Sequence, residues 1–157
     1  MSWLYRGSIL NDDDIPKKAA GFVYMLTYLP TGQRYIGRKL LTKSHRRQKN
    51  KKIIRSRVES DWRDYWSSSP DIKRIIESEG TDNFVREVLL FAGTRGQLNY
   101  LEEKFLYYVG AMESEFWMNS NIRAKMFKRN ILNKLNTEEL KEVLSTISTL
   151  EKVSDEK

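Results

Sequence analysis

The chain has 157 residues, a formal net charge of +7, 39% hydrophobic residues and no cysteine. That length is most simply one domain with room for a core. The lack of cysteine excludes disulfides and thiolate metal sites, and a single histidine, His45, excludes a His-rich zinc site. No apolar run approaches the roughly 18 residues of a membrane span. The N-terminus has no signal-peptide core, so a soluble, intracellular, cytoplasmic protein without membrane contact is expected.

Near the start, Trp3-Leu4-Tyr5 is an apolar cluster expected to pack on the domain, and Asn11 to Pro16 reads as loop. Phe22 to Tyr28 is rich in β-branched and aromatic residues, as strands are. Pro30-Thr31-Gly32 supplies a turn, Gln33 to Ile36 is the returning strand, and Gly37 ends it. Residues 38–57 then hold ten Lys or Arg and no acid; the rest of the chain carries 18 basic against 21 acidic residues. The whole positive excess therefore lies in one stretch, the footprint expected of a phosphate-binding surface. That stretch shows no clean period. Residues 49–52 read as a loop tip, with Ile53-Ile54 returning toward the core.

Residues 59–66 read as a short helix or turn that packs Trp62 and Tyr65 inward. Ser69 is a good N-cap and Pro70 suits the first helical position. Ile72, Ile75 and Ile76 then form one helical stripe, which Gly80 stops. Phe84 to Phe91 is a third strand, broken by Gly93. Thr94 and Gln97 stand at capping-box spacing and start a helix with Leu98, Leu101, Phe105 and Tyr108 as its buried stripe, ending near Gly110. Residues 111–122 read as loop, and 123–129 as a second, smaller basic patch. From Asn136 an amphipathic helix is expected, with Leu140, Val143, Leu144, Ile147 and Leu150 on its apolar face. The fold class is α+β: a small three-stranded sheet flanked by helices, plus that C-terminal helix.

Glu102 lies four residues after Leu98, inside the helix's apolar stripe. A carboxylate on a core-facing side is costly unless it is paired or holds a cation. Tyr24 and Tyr35 stand eleven positions apart on the two strands of the hairpin, and the second begins Tyr35-Ile36-Gly37. This spacing, with an intact YIG half and Phe22-Val23-Tyr24 as the looser first half, resembles the GIY-YIG nuclease signature. The pieces WLYRG, ESDWRDYWSSS and NYLEEK are similar to short phage proteins likened to Seg-type homing endonucleases.

The resemblance implies a metal-dependent DNA endonuclease. Its metal-binding Glu maps to Glu102, with Phe105-Leu106 following at the family's spacing and Glu103 as the fallback. One carboxylate plus waters and a substrate phosphate suits Mg²⁺ or Mn²⁺. Tyr24 would be the general base and Tyr35 its partner, or the reverse. The family's Arg, about ten residues past the second Tyr, falls at His45, Arg46 and Arg47, with Arg38-Lys39 and Arg63 as rivals. Its late Asn resembles Asn119, with Asn121 the alternative. Contacts to double-stranded DNA would come from Lys39, Lys43, His45, Lys49, Lys51, Lys52, Arg55, Arg57 and Arg63. The nuclease domain would span residues 1–130 with the basic insertion at 38–57. The extension 131–157 is too short for a separate DNA-binding domain and offers a helix for a homodimer. The competing reading is a non-catalytic nucleic-acid-binding module whose tyrosines stack on bases.

Overall fold

The structure is a computed structural model that describes residues 2–130 and, beyond them, 132, 136, 138, 139, 141–143 and 145. Its scaffold is a sheet of five strands in the order β2-β1-β7-β3-β4: β1 Leu4–Tyr5, β2 Ser8–Ile9, β3 Gly21–Tyr28, β4 Arg34–Leu40 and β7 Phe84–Ala92. The three longer strands are the three expected, except that β4 does not stop at Gly37 but runs on to Leu40, its pairing with β3 continuing to Gly21. The sheet is nevertheless wider than three, because the N-terminal segment adds two strands. β1 runs parallel to β7 with Leu4 opposite Glu87, and β2 folds back on β1. Two-residue strands are too short to show a period of two, so sequence periodicity could not announce them.

The basic insertion is a ribbon of its own: β5 Thr42–Lys49 pairs antiparallel with β6 Lys52–Glu59 over its full length. Its two-residue turn, Asn50-Lys51, has φ of 48° and 60°. That is the positive-φ geometry of a tight hairpin, and Asn adopts it at low cost. Ile53 and Ile54 do not return to the core, being 50% and 49% exposed. With both faces polar, the alternation that marks a half-buried strand never appears in this stretch.

Two α-helices lie wholly within the described residues, α1 Pro70–Glu79 and α2 Arg95–Tyr108. The Ser69 hydroxyl accepts from the Ile72 amide, and the Thr94 hydroxyl from the Gln97 amide at 3.1 Å. Each such cap stabilises its helix by about 1 kcal/mol. α1 buries Ile72 on one face of the sheet, among Phe22, Tyr24, Leu26 and Phe84. α2 buries Leu98 and Leu106 on the opposite face, with Val23 and Ile36. Tyr108, expected in that stripe, is 87% exposed instead. The buried side is the one carrying Leu98 and Leu106, and Tyr108, two residues after Leu106, is turned away from it before the positive-φ Gly110.

Residues 111–122 lead into a short hairpin of β8 Asn121–Ile122 with β9 Met126–Phe127. Asn136 accepts from the Glu139 amide at 3.2 Å, the cap expected there. Of its expected apolar face, Leu140, Leu144, Ile147 and Leu150 lie outside the described residues, and Val143 is 52% exposed. No helix among the described residues is long and apolar enough to cross a membrane.

Candidate active site

The site is built on the free edge of the sheet. Gly37 of β4 stands opposite Tyr24 of β3, and a register shift in the β3–β7 pairing falls between Val23 and Tyr24. Bulges of this kind re-aim a side chain. The Tyr24 and Tyr35 rings lie 6.3 Å apart at 39° and close over Gly37. A Cβ at Gly37 would sit 2.5 Å from the Tyr24 hydroxyl and 2.8 Å from Cε1 of Tyr35.

Ser67 reaches both phenols with its hydroxyl and is itself buried. The segment that delivers it is fastened by aromatic contacts. The Trp3 indole donates to the Trp62 carbonyl at 2.9 Å, and the Arg86 guanidinium donates to the Tyr65 carbonyl at 2.8 Å. Arg86 also lies over the rings of Trp3 and Trp66 at 4.7 and 4.4 Å.

Burial pushes the Tyr24 phenol well above its ordinary value, and the neighbouring Tyr35 and Tyr65 add to this. Tyr35 is raised as well, first by burial, with Ser67 opposing and Glu102 adding. Both are therefore neutral phenols at pH 7 in this state. They differ in access: Tyr35 lines a cleft, while Tyr24, 1% exposed, stands behind it.

That cleft, of about 630 Å³, runs between β4, the middle of α2, the start of α1 and residues 119–123. Arg38 and Glu102 face each other across it, with Nε donating to Oε2 at 2.7 Å and side chains 35% and 23% exposed. Burial raises the Glu102 carboxyl above the usual range, against the lowering influence of Arg38. Glu103, one step round the helix, pairs instead with Arg123 at 3.0 Å. Asn99, one turn before Glu102, lines the same cleft, and its Oδ1 is buried with no hydrogen-bond partner among the described residues.

Asn119 closes the floor. It is buried and bonds both ways to the exposed side of the edge strand, accepting from the Ile36 amide at 3.0 Å and donating to the Ile36 carbonyl at 2.8 Å. With the Arg34–Trp117 bridge beside it, the loop covers part of an edge that would otherwise present free ladder groups. Asn121 serves its own turn, accepting from the Ala124 amide.

Tyr35, Arg38, Glu102 and Asn119 thus share one cleft, with Tyr24 directly behind. Arg46 and Arg47 do not reach it; they stand on the exposed ribbon, as do Lys43, His45, Lys49, Lys52, Arg55 and Arg57, with Lys51 in its turn. Lys39 is on the other face of β4, paired with Asp61 at 2.7 Å and set 3.7 Å over the Tyr65 ring. Arg63 is held by Asp12 and Glu59. A family model described as "Putative endonuclease segE, GIY-YIG domain" matches residues 3–122. The chain belongs to the GIY-YIG nucleases. No curated protein and no solved structure matches it.

In this GIY-YIG domain the match covers every strand of the sheet, the ribbon and both α-helices. The donors in the cleft suit a hard divalent cation. Glu102 supplies a carboxylate whose Oε1 is not the atom bonded to Arg38, and Asn99 lines the same cleft one turn earlier. Among the described residues no group of three acidic or His ligands exists, so such an ion would keep waters or substrate oxygens in its shell. Sequence reasoning passed over Ser67 and Asn99. Ser67 was visible only as one of three serines before a helix, and Asn99 only as a polar residue three before Glu102.

Proposed function

We propose that this cleft hydrolyses phosphodiester bonds of double-stranded DNA in the presence of Mg²⁺ or Mn²⁺. The observation that carries the reading is the convergence of one phenol, one guanidinium and one carboxylate on a single cleft, with the Arg38–Glu102 contact at 2.7 Å. Glu102 would hold the cation, with Asn99 beside it. The ion, when bound, offsets negative charge on the scissile phosphate and lowers the pKa of water and phenol near it.

Tyr35 is the phenol open to substrate. It orients the attacking water and acts on it as the phenolate, its own proton having passed to solvent: it takes a proton from the water as the water oxygen bonds to phosphorus, the bond from phosphorus to the bridging oxygen breaks, and that oxygen is protonated from solvent. Tyr24 and Ser67 hold that phenol in place from behind. Arg38 would face the phosphate with the N–H donors of its planar fork that its Nε bond to Glu102 leaves over. Asn119 fixes β4, and hence Tyr35 and Arg38, through Ile36.

The test is incubation of the full chain with supercoiled plasmid. Nicked or linear product is expected with Mg²⁺ and none with excess chelator. Binding of the plasmid without any cut in Mg²⁺ or Mn²⁺ would favour the binding-module reading instead.

A further inference from the structure

The ribbon of β5 and β6 has two unlike faces. Antiparallel register puts Ser44 opposite Arg57, Arg46 opposite Arg55 and Gln48 opposite Ile53 on one of them. The other face carries Lys43 opposite Val58, His45 opposite Ser56, Arg47 opposite Ile54 and Lys49 opposite Lys52. Every residue of β6 is exposed, and so is β5 beyond Thr42. Among the described residues, no acidic side chain forms an ion pair with a cation between Lys43 and Arg57. Arg46 beside Arg55 is a like-charge cross-strand pair, which destabilises a hairpin unless an anion lies against it.

The arginine face also has a direction. Ile36 and Arg38 of β4 look toward α2, and alternation carries that side on through Leu40, Thr42 and Ser44. Thr42, Ser44 and Arg57 accordingly line a recess of about 510 Å³ with Thr94 and Arg95 at the start of α2. The base of the ribbon, at Ser44 and Arg57, thus lies beside the start of α2, the helix that carries Glu102, with Lys43 of the other face also reaching that recess.

Two strands about 5 Å apart and eight residues long make a blade roughly 26 Å in length. The major groove of B-DNA, about 12 Å wide, admits such a ribbon, and its base edges match these side chains: arginine to guanine O6 and N7, glutamine to adenine N6 and N7. We propose that the β5–β6 ribbon lies in the major groove of duplex DNA, where Arg46, Gln48, Arg55 and Arg57 read base edges and make it the element that selects the target. The lysines of the opposite face reach the groove walls and supply sequence-independent phosphate contacts. The inference rests on the nuclease reading of the cleft.

The experiment selects bound duplexes from a randomised pool, using the full chain in chelator so that nothing is cut. It compares wild type with the charge-conserving pair Arg46→Lys/Arg55→Lys, whose folding is checked by thermal melt. Wild type should enrich a G-containing motif, with roughly 5- to 100-fold preference per arginine-read position. The lysine pair should lose most of that preference while its affinity for the unselected pool changes less than about threefold. Double-stranded RNA of the selected sequence should bind at least about tenfold more weakly, since its deep, narrow major groove excludes side chains. No motif from wild type, the same motif from the lysine pair, or equal binding of the RNA would each overturn the inference. Plasmid cleavage by wild type in Mg²⁺ is scored in parallel. Its absence alongside an enriched motif would strike the nuclease reading and leave the ribbon's role supported.

Discussion

Glu102→Gln is expected to lower single-turnover DNA cleavage by a factor on the order of 10³, about 4 kcal/mol of transition-state stabilisation, with the melting temperature no lower than wild type. The two halves of this expectation have one cause. Glu102 is a carboxylate in a largely buried position, and burial raises its pKa despite the Arg38 guanidinium at 2.7 Å. A group whose folded pKa lies above its unfolded value contributes stability that is fully present below the unfolded value and lost as pH rises through the folded one. At neutral pH the ionised Glu102 is therefore a cost to the fold, which a neutral isostere removes. The same carboxylate must be ionised to hold a cation, so cleavage should climb as pH rises through its raised titration. A Gln variant that cuts DNA at the wild-type rate would remove Glu102 from the proposed chemistry.

Gly37→Ala is expected to reduce cleavage about 100-fold and to destabilise the fold by about 1–3 kcal/mol. The added Cβ would lie 2.5 Å from Oη and 2.6 Å from Cζ of Tyr24, and 2.8 Å from Cε1 of Tyr35. Neither ring is a free end that can swing away. Tyr24 packs edge-on against Trp3 and Tyr65 with centroids 5.3 and 6.1 Å apart, and both hydroxyls meet Ser67. The methyl must therefore displace the phenols or bend β4, and either moves Tyr35 relative to Arg38. Urea melts and single-turnover cleavage measure the two effects. Retention of full stability together with full activity would show that the rings do not close over the glycine.

The parts of this fold that were legible in the sequence are those where a local rule and the tertiary structure agree. Pro30-Thr31-Gly32 between two apolar runs gives the β3–β4 hairpin, and Ser69-Pro70 and Thr94 start the two helices where caps should be. The ribbon was missed for a physical reason. A strand pair that buries neither face carries no hydrophobic period, and its charge density resembles a solvated loop. Tyr108 falls outside the buried side because the last turn of α2 buries Leu106, and residues two apart on a helix do not share a face.

At the candidate site, Glu102 was marked by its place in an apolar stripe, and the tyrosines by their spacing. Arg38 was one of several arginines until the strand placed it across from Glu102. Ser67 and Asn99 become conspicuous only in three dimensions, one by lying between two phenols and the other by an unsatisfied oxygen. The ion pairs of Lys39 and Arg63 likewise depend on partners far away in the chain, Asp61 and Asp12.

If Tyr35 and Glu102 act as one unit on one phosphodiester, losing either should disable the other. The most direct measurement is a double-mutant cycle in single-turnover plasmid cleavage with Mg²⁺, using wild type, Tyr35→Phe, Glu102→Gln and the double variant. Groups that act together are grossly non-additive, so the double variant should be slowed little more than the worse single one. A double variant slowed by the full product of the two single factors would show that the two groups act independently.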